Sequence, residues 1–307
     1  MVPRPDFASY YGRPIIKEPT WQAADIAGYL FLGGLAGASA VLAEGAALTG
    51  RPHLAAVARR AAAGAAGLGT VALVHDLGRP SRFLNMLRVF KPTSPMSVGT
   101  FVLAPFSALS TAAVLSDLTG AMPRAGRAAG AAAATLGPVL ATYTAALVAD
   151  TAVPAWHNAH KHLPFVFAGS GCYAAGGLAM AFTPVAESGP ALRMALGGAM
   201  VEGAAENLIR VQLGHAGEPY RRGRAGTLRQ AARALTLSGA ALSVLGRRSR
   251  LARAVAGAAY VAGSACLRLG IFQAGVESAR DPSYTVEPQR RRLEAAAAMR
   301  NGQPVSG

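Results

Sequence analysis

Long apolar runs separated by short polar breaks dominate the chain. A backbone in hydrocarbon must satisfy its own N–H and C=O groups, so a spanning helix needs about 20 mostly apolar residues. Eight such runs occur, at 21–48, 54–76, 96–118, 128–151, 163–185, 189–211, 228–246 and 252–276. They predict an all-α integral membrane protein of eight transmembrane helices, which two four-helix bundles would accommodate, although no internal repeat enforces that grouping. Residues 1–20 and 277–307 are polar segments flanking this domain. The first contains Arg4, Asp6, Arg13, Lys17 and Glu18 without an apolar core, so it does not read as a cleavable signal, and the first span is expected to direct insertion. An even number of spans places both termini on one side, called side A.

The spans are rich in Gly and Ala, as in Gly33-Gly34-Leu35-Ala36-Gly37-Ala38, where small residues four apart let helix backbones approach closely. Pro105 and Pro138 fall inside the third and fourth spans, where each is expected to bend its helix and release a carbonyl.

Of the 307 residues 52% are apolar and 15% charged, which argues against water as the main solvent. A formal charge of +15 would suggest nucleic acid in a soluble chain. Here the basic residues sit between apolar runs, with Arg79, Arg82, Arg88, Lys91, Lys161, Arg221, Arg222 and Arg224 in the loops of side A. Side B offers Arg51, Arg124, Arg127, Arg247, Arg248 and Arg250. The bias favours a cytoplasmic side A in a cell membrane, although a basic surface that docks an acidic partner would leave the same imprint. Cys172 and Cys266 stand alone in apolar stretches, so no iron-sulfur, zinc or disulfide framework is encoded and a redox metal would have to come from a partner.

Ionisable residues inside a membrane are costly and mark sites or pathways. Up-and-down threading brings Asp25, His75, Asp76, Asp150, Glu206, Arg210, Arg229, Arg233, Arg268 and Glu277 toward side A, against a shorter set on side B. Helical spacing puts Trp21, Asp25 and Tyr29 on one stripe and Glu202, Glu206 and Arg210 on another. The second stripe reads either as a proton path or as a locked ion pair in which Glu206 and Arg210 hold each other's charge. The loop containing Trp156, His157, His160 and His162 lacks the Cys or carboxylate that would complete a metal site, so it reads as interfacial, with Trp156 at headgroup depth. Intrinsic haem is not expected, because the histidines fall in loops and only His75 ends a helix.

Several motifs occur in order along these spans: Tyr11-Gly12-Arg13-Pro14, Lys17-Glu18-Pro19, Trp21, Tyr29-Leu30-Phe31-Leu32-Gly33-Gly34-Leu35-Ala36-Gly37 and Asp76-Leu77-Gly78-Arg79-Pro80-Ser81-Arg82-Phe83. Pro92-Thr93-Ser94-Pro95-Met96-Ser97-Val98-Gly99, Tyr143-Thr144-Ala145 and Pro154-Ala155-Trp156 come after them. Together, from residue 10 to about 280, they resemble the NrfD, or polysulfide reductase membrane-subunit, family, in which a Gly more usually stands where this chain has Ala145. The resemblance implies a subunit without cofactors of its own, which binds exchangeable menaquinone or ubiquinone. Its implied partners are a four-cluster iron-sulfur ferredoxin-like subunit and a molybdopterin catalytic subunit. It also implies a quinone at the face where the N-terminal segment enters the membrane, lined by that segment and by Tyr143 of the fourth span.

On that reading the quinone-binding candidates are Trp21, Asp25, Tyr29, Asp76, Tyr143 and Asp150, the proton-path candidates are Glu202, Glu206 and Arg210, and partner docking falls to Arg13, Lys17, Arg79, Arg82, Trp156 and His157. Quinone reduction needs a hydrogen-bond donor at each carbonyl and two protons. Tyr143 suits the first role and Asp76 and Asp150 the second. Along an uninterrupted helix Tyr143 would lie roughly 20 Å from Trp156. A secondary transporter or proton channel built on Glu202, Glu206 and Arg268, and a purely structural anchor, are the competing readings.

Overall fold

The computed structural model describes residues 15–79, 81–246 and 248–300. Among these it is all-helical: α1 (Ala23–Leu48), α2 (Pro52–Asp76), α3 (Ser81–Met86), α4 (Pro95–Thr119), α5 (Pro123–Ala149), α6 (Pro154–Asn158), α7 (Leu163–Phe182), α8 (Gly189–Gln212), a 3₁₀ turn over Gly214–Tyr220, α9 (Gly223–Leu245), α10 (Arg250–Arg280) and α11 (Ser283–Arg300). Proline sets many of the starts. Pro52, Pro95, Pro123, Pro154, Pro164 and Pro190 each occupy the first turn of a helix, where the missing N–H has no intrahelical partner to lose. Ser94 and Ser249 cap α4 and α10 through their side-chain oxygens.

Six of these helices, α1, α2, α4, α5, α7 and α10, are long and apolar enough to cross a membrane. The other two expected spans, 189–211 and 228–246, fall in α8 and α9. These are long enough but more polar, because α8 carries Arg193, Glu202, Glu206 and Arg210, and α9 carries Arg224, Arg229 and Arg233. In the polar C-terminal segment α10 runs on to Arg280, and Ser283–Arg300 form the further helix α11.

Helix α1 is the most deeply buried of the six. It packs on α2, α5, α7 and α10, while α2 packs on α4, α4 on α5, α7 on α8 and α10, and α9 on α10. The closest approaches fall where both helices present glycine. Gly37 of α1 meets Gly137 of α5, Gly34 meets Gly171 of α7, Gly169 meets Gly198 of α8, and Gly177 meets Gly257 of α10. A Cβ built on Gly171 would stand 2.7 Å from the Gly34 carbonyl oxygen, and one on Gly169 2.6 Å from that of Gly198. These helices therefore touch backbone to backbone, the arrangement expected where lipid removes the hydrophobic drive and only close dispersion contact remains. The prolines inside α4 and α5 do not end either helix.

Candidate functional site

At the side A ends of α1, α2, α4 and α5 the chain encloses a cavity of about 190 Å³. Ile26, Leu73, Leu77, Met86, Met96 and Leu147 form its apolar walls, and Trp21, Tyr29, Asp76, Arg82, Thr100 and Tyr143 supply the polar or aromatic groups. Gly78, with φ of 70°, turns the chain sharply after α2, so the short helix α3 folds back and contributes Arg82 and Met86 to the wall. Tyr143 projects toward α4 because residue 99 there is glycine: a Cβ on Gly99 would overlap the Tyr143 ring. Tyr29 is buried, and among the described residues its hydroxyl has no hydrogen-bond partner, which leaves an uncompensated polar group in the cavity wall. Asp76 accepts the backbone N–H of Gln22 at 2.8 Å, which fastens the entry of α1 to the end of α2.

Four of the six quinone candidates, Trp21, Tyr29, Asp76 and Tyr143, thus line one cavity. Asp25 and Asp150 do not. Asp25 turns to His75 Nδ1 at 2.7 Å, just outside the wall, and Asp150 is an exposed residue following the last turn of α5. Because α5 ends at Ala149, the chain turns before Trp156, and the separation expected along a continuous helix does not arise. Trp21 links the two regions: it lines the cavity and stacks on Trp156 with ring centroids 6.0 Å apart.

The docking candidates fall in different settings. Trp156, expected at the interface, is fully buried within the protein. Its Nε1 donates to the Ile271 carbonyl at 2.7 Å, and its ring lies against Gly275 and Phe272 of α10. Arg82 belongs to the cavity wall, with Nη1 donating to the Leu77 carbonyl at 2.9 Å. Lys17, Arg79 and His157 are exposed, while Arg13 lies outside the described residues. The N-terminal segment is held by Glu18, which pairs with Arg280 at 3.0 Å.

The second polar stripe also rearranges. Glu206 binds Arg229 of α9 at 2.6 Å, not Arg210, because Arg210 points to the exposed side of α8. Glu202 is buried one turn deeper. Arg268 of α10 is completely buried. Its guanidinium lies 3.6 Å from the centroid of the Phe167 ring and donates to the Phe167 carbonyl at 2.8 Å, while Nε and Nη1 have no partner among the described residues. On side B, Arg59 binds Asp117 at 2.8 Å and approaches Glu44 at 3.9 Å. Among the described residues no group of three or more His, Cys, Asp or Glu is arranged to hold a metal ion.

The sequence reading missed Met86, Met96 and Thr100 as wall residues and Arg229 as the partner of Glu206. Thr100, one turn after Met96, carried a helical-spacing signal that the polar-residue count passed over.

An apolar helical chain with six helices long and apolar enough to cross a membrane, and a small mixed-polarity cavity at one end, defines the class of integral membrane proteins. The family described as polysulphide reductase, NrfD, matches residues 17–209, and the chain belongs to that family. At the family level it is a quinone-interacting membrane subunit of oxidoreductases. No curated protein matches the chain.

Proposed function

We propose that this chain is the membrane anchor and quinone-reactive subunit of a molybdopterin and iron-sulfur oxidoreductase, passing electrons between an iron-sulfur subunit and the quinone pool. The observation that carries this reading is the cavity beside α1, where the unpartnered Tyr29 hydroxyl, Tyr143 and Asp76 meet within apolar walls. Its volume is below the roughly 300–1,000 Å³ of pockets that engulf a whole drug-sized molecule, so it suits a ring headgroup with the isoprenoid tail outside. When bound, menaquinone or ubiquinone would supply the two-electron, two-proton couple. Tyr29 and Tyr143 would donate hydrogen bonds to the carbonyl oxygens, and Trp21 and the two methionines would exclude water and hold the ring. Asp76 would exchange protons with side A, with Asp25 and His75 adjoining it. Lys17, Arg79 and His157 remain candidates for docking the iron-sulfur subunit, and the molybdopterin subunit would sit beyond it.

The same reading takes all eight long helices as spans, α8 and α9 included, in two four-helix bundles: α1, α2, α4 and α5 in one, and α7 to α10 in the other. Both termini then share side A, which the charge bias makes cytoplasmic.

The test is quinol-linked turnover of the purified complex, measured beside partner-subunit turnover with a soluble dye. Tyr29→Phe and Asp76→Asn are each expected to lower the quinone-linked rate at least tenfold and to leave the dye-linked rate and assembly unchanged. Normal quinone-linked turnover in both assembled variants would remove the cavity from the reaction.

A second reading, proton translocation, draws on the buried Glu202 and on Arg268, which has two unpartnered nitrogens in the helical core. It predicts that Glu202→Gln in proteoliposomes abolishes proton movement while quinone turnover persists. Unaltered proton movement would reduce Glu202, Glu206 and Arg268 to structural charges.

A further inference from the structure

The second bundle is not evenly closed. Helix α8 packs on α7 and α9 packs on α10, but α8 and α9 make little contact with each other. Where they end on side A, bridged by the 3₁₀ turn, they leave a pocket of about 350 Å³ separate from the cavity beside α1. Arg210, Arg221, Arg229 and Arg233 line it, with Glu206 as the single carboxylate among the described residues. Glu206 is committed to Arg229, so the remaining three arginines leave a net charge of about +3 in one concavity. Arg221 gives one N–H to the Gly214 carbonyl, while Arg210 and Arg233 have no acceptor among the described residues. All four arginines lie beyond residue 209, where the family match ends.

We infer that this pocket binds the phosphate headgroup of an anionic phospholipid, with its acyl chains lying in the trough between α8 and α9. The charge selects a phosphodiester, since guanidinium groups offer paired N–H donors matched to phosphate oxygens. The shape below the charge selects a lipid over a soluble anion. Continuing the Arg233 face along α9 at helical spacing gives Leu237 and Val244, which are 59% and 49% exposed. Continuing the Arg210 face along α8 gives Gly203, which is exposed, and the half-buried Ala199, two small residues that offer no bulk against an acyl chain. An apolar track running from a basic pocket along two helices fits a molecule with a charged head and a long tail, and basic pockets between membrane helices have this chemistry. A protein segment docking on side A would meet the arginines but could not follow the trough into the membrane. The inference rests on α8 and α9 spanning the bilayer and is independent of the quinone cavity.

The experiment is native mass spectrometry of the full chain in neutral detergent, titrated with phosphatidylglycerol or with phosphatidylcholine of the same acyl chains. One phosphatidylglycerol is expected to be retained at a concentration at least tenfold lower than phosphatidylcholine requires. In Arg210→Gln/Arg233→Gln that preference is expected to shrink about tenfold, with the lipid-free melting midpoint unchanged because both side chains are exposed. Arg233→Lys, which keeps the charge, is expected to keep most of the preference and serves as the second variant should the double variant misfold. Equal retention of the two lipids, or an undiminished preference in the double variant, would overturn the inference. Displacement of the lipid by millimolar inorganic phosphate would make the pocket a site for free anions, and its loss on binding the partner subunits would make it a protein interface; either result also overturns it. The quinone assignment is tested separately, by turnover in Tyr29→Phe and Asp76→Asn, so failure here is distinguishable from failure of that assignment.

Discussion

Tyr143 has a place in the cavity wall only because residue 99 has no side chain. A Cβ at Gly99 would fall inside the Tyr143 ring, so Gly99→Ala must displace that ring or push α4 and α5 apart. Overpacking of this kind costs about 1–3 kcal/mol, and part of the strain is relieved by rotating Tyr143. The expected outcome is a quinone KM raised at least tenfold with a modest loss of thermal stability, read by turnover and by a melting curve on the same preparation. An unchanged KM would show that Tyr143 does not contact the substrate. At this scale the sequence was a partial guide. Helical spacing and charge singled out Trp21, Tyr29 and Asp76, the family resemblance supplied Tyr143, and all four line one wall. The burial of Trp156 was not legible in the sequence, because the loop pattern takes no account of a buried carbonyl: the Ile271 oxygen satisfies the indole N–H inside the protein.

Between elements, charged side chains tie helix ends together. Glu187, in the loop between α7 and α8, accepts the backbone N–H groups of His53 and Leu54 at 2.9 and 3.1 Å and thereby caps the exposed start of α2. The hydrogen bond from His53, reinforced by these backbone donors, holds the Glu187 carboxyl below the usual carboxylate range. A carboxyl depressed in the folded state stabilises above its unfolded value, near pH 4.3, and that contribution is lost as pH falls toward the folded value. Glu187→Ala should therefore melt below the wild type at pH 7, and the difference should shrink below about pH 4. A gap that stays constant down to pH 3 would assign it to packing. The Glu206–Arg229 pair, in which both side chains are only 12% exposed, joins α8 to α9 across their thin contact. Removing one partner strands the other, at about 3–5 kcal/mol for a buried pair. Glu206→Gln is expected to lower the yield of folded protein and Glu206→Gln/Arg229→Met to recover part of it, measured by size-exclusion profiles. No recovery in the double variant would show that the two residues act separately. Spacing within α8 suggested Arg210 as the partner, since a single helix shows only its own i, i+4 neighbours; the actual partner came from the next helix in the chain, which periodicity cannot orient.

For the molecule as a whole, the helices were legible because hydrocarbon allows so few backbone structures, but their contacts were not. Small residues recur on nearly every span, so Gly33, Gly34 and Gly37 advertised close packing without naming a partner. The structure assigns Gly34 to Gly171 and Gly37 to Gly137, making α1 the element that carries both α5 and α7. That assignment can be tested by ranking glycines. A Cβ on Gly171 meets backbone atoms of Gly34 at 2.7 to 3.2 Å, which cannot move without separating α1 from α7, whereas one on Gly34 meets first the Nη2 end of Arg268 at 2.9 Å and the Gly171 backbone only at 3.6 Å. One on Gly64, on the exposed side of α2, meets nothing within 4 Å. Gly171→Ala should therefore be the most damaging, at about 1–3 kcal/mol or more, and Gly34→Ala milder. Gly64→Ala should be neutral or stabilising by up to about 1 kcal/mol, because alanine restricts the unfolded chain and favours helix. Melting midpoints of the three variants in one detergent give the order directly. If Gly64→Ala were as damaging as Gly171→Ala, the contact between α1 and α7 would not be the joint that holds the two groups of helices together.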